Sequence, residues 1–298
     1  MKELFYMATW FFAARLLGRK KPLQTVLAIL NKCNLTCLHC SEYQRENPIV
    51  KSYEQIREEL SYAYQTGSRI IDFQGGEPML WRDGEHDLNS LIHLAKQMGF
   101  YSVSITTNAL LPFQGLEADI VWVSLDGLGD YHDAIRGKGA FEKLIANITS
   151  CGHKNLSVNM VVNTLNYTSV EETISFVRDH PNIKAIAINF HTPRPATDYL
   201  FLDWEVRGQV IDKVLQMKRA GYPVMNSASG LRLMKSNNFK KQCWISGYIL
   251  PDGSRYEECP GKLVGLCERC GYTMAGEMKC VFDLRPDTII SGIKMRLK

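Results

Sequence analysis

From residue 25 to residue 220 the chain alternates short apolar runs with longer stretches in which apolar positions recur every three or four residues. The short runs suit buried strands, and the longer recurrence suits helices with one buried face. Strands are predicted at 25–30, 69–74, 102–106, 120–124, 156–162 and 183–189, and helices at 53–66, 88–98, 141–150, 170–178 and 204–220. Such alternation builds a parallel sheet from βα units. Six units are too few to close an eight-stranded barrel, so the predicted fold class is α/β, a partial (β/α)6 barrel of the TIM type. From about residue 239 the periodicity fades into a region rich in Cys and Gly. The pattern divides the chain into an N-terminal helix at 1–22, the partial barrel at 23–235 and a small Cys-rich C-terminal extension at 236–298.

Residues 4–17 read LFYMATWFFAARLL and run directly into GRKKP. The run is shorter than the roughly 20 apolar residues that span a bilayer. Its cations, Arg15, Arg19, Lys20 and Lys21, come after it, opposite to a secretory signal. Two arrangements fit: a helix in the membrane interface with its basic residues at anionic headgroups, or a helix packed on the barrel.

Composition narrows the class further. With 298 residues, 45% hydrophobic and 22% charged, the chain is globular and not disordered. A formal charge of +4 gives no strong nucleic-acid signal. Nine cysteines cannot all pair within one chain, which points to metal or redox chemistry in a reducing compartment, the cytoplasm or the inner face of the membrane.

The first predicted strand runs into NKCNLTCLHC, which sets Cys33, Cys37 and Cys40 in C-x3-C-x2-C spacing on one loop. Three thiolates can hold three irons of a [4Fe–4S] cluster and leave the fourth open, whereas a structural zinc would take a fourth ligand, for which His39 is at hand. The second strand ends in QGGEP, where Gly75 and Gly76 would let a ligand approach the backbone and Glu77 offers acceptors. A C-x3-C-x2-C loop followed one βα unit later by GGEP resembles the radical S-adenosylmethionine (SAM) superfamily, over about residues 25–220.

That resemblance implies that Cys33, Cys37 and Cys40 bind a [4Fe–4S] cluster whose open iron chelates SAM. It places His39 beside the adenine and Gly75, Gly76, Glu77 and Pro78 at the methionine amino group. TTNALL and VSLDG put Asn108, Ser124 and Asp126 at strand ends, where they would meet the sugar and methionine; Arg136 would pair with the carboxylate, and Asn163 is a further cofactor contact. The implied reaction begins with one-electron reduction, from a donor such as flavodoxin or ferredoxin, and yields methionine and a 5′-deoxyadenosyl radical. The protein's part is orientation and exclusion of water.

In the C-terminal extension Cys243 and Cys259 flank an apparent β-hairpin with a PDG turn, and Cys267 and Cys270 form a CxxC. The arrangement resembles the SPASM or twitch auxiliary-cluster domains, which implies a second [4Fe–4S] cluster on these four residues, with zinc as the alternative metal. Cys280 has no assignment, and Cys151 reads as packing. The order of parts also resembles the hopanoid-biosynthesis (adenosylhopane synthase-like) branch, except that Thr107 stands where that branch carries a Cys. Three functions follow as expectations: a radical enzyme acting on a membrane-associated lipid or isoprenoid; a radical enzyme acting on a peptide or small polar metabolite; and a non-enzymatic zinc protein. Residues 191–195 (HTPRP) and Tyr43 are expected substrate contacts.

Overall fold

In the computed structural model, which describes residues 2–40 and 47–296, all six expected strands form. They are β1 (Gln24–Ala28), β2 (Ile70–Gln74), β3 (Ser102–Thr107), β4 (Ile120–Ser124), β5 (Leu156–Val162) and β6 (Ile186–Phe190), and each pairs in parallel with the next. The helices are α1 (Lys2–Leu16), α2 (Tyr53–Thr66), α3 (Leu88–Gln97), α4 (Asp130–Arg136), α5 (Ala140–Ser150), α6 (Val170–Asp179), α7 (Trp204–Arg219), α8 (Ala228–Leu233), α9 (Met274–Phe282) and α10 (Pro286–Arg296). Local chemistry sets their ends. Ser52 caps α2 in a reciprocal box with Gln55, and Gly67, at φ 120°, ends it.

The strand pleat sorts the side chains. Ile71 and Phe73 of β2 and Val103 and Ile105 of β3 are fully buried in one apolar core with Ile56 and Leu60 of α2 and Leu91 and Ile92 of α3. The alternate positions, Asp72 and Gln74 and then Ser104 and Thr106, face the opposite, concave side and are polar. The expected first strand ends at Ala28, two residues early, because Ile29 and Asn31 bond to residues 49–51 in an antiparallel bridge.

The expected hairpin forms as β7 (Ser246–Ile249) and β8 (Arg255–Tyr256), antiparallel to each other. It also extends the barrel sheet, since β7 pairs in parallel with β1. The sheet therefore has eight strands in the order β6-β5-β4-β3-β2-β1-β7-β8 and is not closed. Residues 270–273 reach the opposite edge: Phe190 donates to the Gly271 carbonyl at 2.9 Å, and Thr273 donates to Asn189 and Ile188. A Cβ on Gly271 would stand 1.8 Å from the Phe190 carbonyl oxygen, so only glycine fits there.

Of the two arrangements weighed for the N-terminus, the packed one forms along one side of α1. Trp10 and Ala14 are buried with Ile245 and Phe282. Among the described residues no helix is long and apolar enough to cross a membrane.

Glu277 of α9 accepts the Ser227 N–H at 2.9 Å at the start of α8. Burial raises its pKa to about 7, against the opposing pull of Ser227. Between the ordinary glutamate value and about 7 the folded chain holds a proton that the unfolded chain has lost, so this contribution to stability is full at low pH and disappears as pH rises through 7. The fall in urea midpoint between pH 5.5 and 7.5 is expected to be shallower in Glu277→Gln than in the parent. Equal slopes would show that the group does not titrate there.

Candidate functional site

The cysteine loop is fastened to the end of β2 by main-chain hydrogen bonds. Ile29 donates to the Gln74 carbonyl at 2.9 Å, Gly76 to Leu30 at 2.9 Å, and Glu77 to Lys32 at 2.8 Å. A Cβ on Gly75 would lie 2.2 Å from the Leu30 carbonyl oxygen, and one on Gly76 would lie 2.0 Å from that of Lys32. The backbone that comes close to the glycine pair here is the protein's own, at the root of the cysteine loop.

Glu77 is buried, with both carboxylate oxygens engaged. They accept Thr107 Oγ1 at 2.6 Å, the Asn108 N–H at 2.7 Å and the Met79 N–H at 3.1 Å. Burial pushes its pKa up and these donors oppose the shift. The following Pro78 is buried in a single 3-10 turn. Asn108 carries the link onward, since its Nδ2 donates to Asn34 Oδ1 at 2.8 Å and lies 3.9 Å from Cys33 Sγ. One chain of contacts thus runs from the end of β3 through Glu77 to the cysteine loop.

A second chain starts at β4. Asp126 is fully buried; it accepts Arg136 Nε at 2.7 Å and the Val161 N–H at 2.8 Å. Burial raises the Asp126 pKa, but Arg136 and the neighbouring histidines outweigh it and hold the carboxyl ionised. Arg136 is buried, not solvent-facing, and its Nη1 lies 3.9 Å from Cys37 Sγ. The Cys37 thiol, raised to about 11 by burial, is drawn back toward ionisation by this guanidinium. His39 Nε2 is 3.8 Å from Asp126, its Nδ1 has no partner, and its ring meets His191 edge-on at 6.5 Å. Burial lowers the His39 pKa to about 4, which leaves the ring neutral near pH 7. The structure therefore brings together Cys33, Cys37, His39, Glu77, Asn108, Asp126, Arg136 and His191, the first residue of the HTPRP stretch.

Ser124 is half-buried at the end of β4, and Asn163 closes its own turn, with Oδ1 accepting the Leu165 N–H at 2.9 Å. Tyr43 lies outside the described residues.

No disulfide joins any of the nine cysteines. In the tail, Cys243 and Cys259 flank the hairpin and feel the charges of Cys267 and Cys270. Burial raises Cys243 to about 12. Among the described residues no three His, Cys, Asp or Glu side chains are gathered so as to hold a single metal ion. Cys151 is buried at the end of α5, and Cys280 is buried on α9.

Two residues at these sites were not singled out from the sequence. Asp72 accepts Ser104 Oγ at 2.7 Å and also takes hydrogen bonds from Gln74 and Thr106. It keeps some solvent contact although it lies deep in the molecule, and its pKa is raised by burial with no cation opposing it. A carboxylate inside the apolar strand IIDFQ was the available signal. Arg207 of α7 is fully buried, donates from Nη2 to the Cys270 carbonyl at 3.2 Å and packs on Phe190 and Trp204. Its Nε and Nη1 have no partner. Nothing in the spacing of α7 marks it.

Residues 27–177 match the Radical SAM superfamily. The chain belongs to the radical SAM superfamily. Membership implies a [4Fe–4S] cluster and SAM as cofactors. Among curated radical SAM relatives, a probable GTP 3′,8-cyclase of Methanocella arvoryzae is 29% identical over 55% of this chain and 57% of its own. The Fe-coproporphyrin III synthase of Methanosarcina barkeri is 30% identical over 47% of this chain and 36% of its own. The chain spans about half the length, or less, of these curated relatives. The solved structure of Streptococcus suis SuiB bound to SAM superposes with a TM-score of 0.65 at 16% identity, covering 92% of this chain and 68% of SuiB. That likeness is one of fold.

Proposed function

We propose that this radical SAM protein reductively cleaves SAM at a cluster held by Cys33, Cys37 and Cys40 and uses the radical to modify an unactivated carbon of a substrate held on the concave face of the sheet. The observation that carries this is the cysteine loop itself, fastened to GGEP, with Arg136 aimed at Cys37 and Asn108 at Cys33. When bound, the cluster supplies the electron, from a flavodoxin- or ferredoxin-type donor, that splits SAM into methionine and a 5′-deoxyadenosyl radical. The chain's residues have separate tasks. Arg136 offsets the charge of the Cys37 thiolate, Asp126 holds Arg136 in place by accepting its Nε–H, and neutral His39 offers an unpartnered Nδ1 beside the loop. Gly75 to Pro78, Asn108 and Ser124 form the strand-end rim against which SAM would lie, and Asn163 supports the turn after β5.

Cys243, Cys259, Cys267 and Cys270 would hold a second [4Fe–4S] cluster. Arg207 supports this assignment, because a buried guanidinium with two unpartnered nitrogens costs free energy unless negative charge lies nearby, and cluster thiolates supply it. Positive charge favours the reduced cluster. The midpoint potential of the tail cluster, read by potentiometric EPR, is expected to become more negative in Arg207→Gln and to stay near the parent value in Arg207→Lys. An unmoved potential in both variants would remove Arg207 from that role. The enzyme reading itself is tested by iron content and 5′-deoxyadenosine formation after anaerobic reconstitution; a colourless, zinc-loaded protein that leaves SAM intact would sink it.

The polar concave face favours a peptide or small polar metabolite, with a cationic or hydrogen-bond-donating group opposite Asp72. Relatives named GTP 3′,8-cyclase and mycofactocin maturase point the same way. A membrane-associated lipid or isoprenoid is the second reading, favoured by the apolar side chains that α1 leaves in solvent.

A further inference from the structure

The side of α1 that faces away from the barrel carries Leu4, Phe5, Phe12 and Leu16, exposed by 46%, 72%, 57% and 71%. Positions 4/5, 8, 12 and 16 recur at the helical spacing, so they form one stripe along the 15-residue helix. The opposite stripe is committed, with Trp10 and Ala14 buried against Ile245 and Phe282. Beyond the helix Gly18, at φ 65°, reverses the chain. The Lys21 carbonyl then accepts the Trp10 indole N–H at 2.8 Å, eleven residues back in the sequence and inside α1. The basic residues Arg19, Lys20 and Lys21 therefore lie beside the helix instead of trailing past its end, and Arg15 stands on the helix with the exposed stripe. All four are exposed, and none forms an ion pair among the described residues. Residues 2–23 contain a single acid, Glu3.

We propose that the outer face of α1 is a docking surface for an anionic bilayer, with the apolar stripe in the acyl boundary and Arg15, Arg19, Lys20 and Lys21 at the headgroups. Charge decides this occupant. Large exposed aromatics flanked by unpaired cations fit a negatively charged interface, whereas a second copy of the chain would set cations against a face that offers one acid. The inference does not depend on the radical reading or on which substrate the concave face holds.

The test uses the full-length reconstituted protein in co-sedimentation with vesicles of phosphatidylcholine alone or mixed with phosphatidylglycerol. Binding is expected to the mixed vesicles only and to weaken with added salt. Phe5→Glu/Phe12→Glu is expected to lower it at least about tenfold, and glutamine at the four basic positions to lower it comparably. Both variants should keep parental iron content and 5′-deoxyadenosine formation; a loss of those would mark misfolding, and single Phe5→Glu, at the more exposed position, then serves as the readout. No binding to either vesicle, or binding that ignores the Phe5/Phe12 substitutions, overturns the proposal. So does light scattering that shows a dimer broken by those substitutions in a protein that binds no vesicle.

Discussion

Replacing Cys33, Cys37 and Cys40 together by alanine is expected to lower the iron content of the reconstituted protein from about eight to about four atoms per chain and to abolish 5′-deoxyadenosine formation. The three thiols sit in one loop, and Cys37 is its buried member, beneath Arg136. Removal of all three leaves the ion pair of Arg136 with Asp126 intact, so the barrel should still fold. The remaining iron then reports the tail cysteines alone. If the parent holds about four irons and the variant none, the tail has no iron cluster and the assignment of Cys243, Cys259, Cys267 and Cys270 fails.

The second large effect is expected from one methyl group. Gly76→Ala would set a Cβ 2.0 Å from the Lys32 carbonyl oxygen, a backbone atom that can move only if the cysteine loop moves with it. Overpacking of this kind typically costs about 1–3 kcal/mol, and the loss of the Glu77-to-Lys32 bond would add to it. The urea midpoint should fall, and cluster occupancy should fall in parallel. Gly208→Ala, inside α7, where the backbone is helical and a Cβ meets nothing within 4 Å, controls for general effects of alanine. Parental occupancy in Gly76→Ala would show that the loop does not depend on this approach.

The strand runs were legible because burial on the helix side demands apolar residues at alternate positions, as Ile71 and Phe73 show. The loop at 33–40 and GGEP were legible because their spacing is local. What escaped the sequence was the third dimension of each. The spacing marks the glycines as points of close approach, but not that Leu30 and Lys32, more than forty residues earlier in the chain, press against them. Arg136 is legible as a cation near the site, but its burial against Asp126, ten residues earlier, is not. Arg207 could not be found at all, because its meaning comes from Cys270, far along the chain and brought close only by the docking of residues 270–273 on β6. The hairpin was legible from its PDG turn, but its place beside β1 was not, since strand neighbours distant in sequence leave no periodic trace.

That pairing also has a consequence in time. β1 is among the first strands made, yet its outer edge is completed by β7, and Gln24 meets Ser246 across 222 residues of chain. At roughly 5–20 residues per second, a ribosome needs on the order of ten to forty seconds to supply that partner. During this interval the nascent chain carries an unpaired parallel edge next to its first cysteine cluster, the kind of edge that recruits other strands. Newborn chains are thus most in need of chaperone cover at their N-terminal end, and they stay so until the last fifth of the protein has emerged.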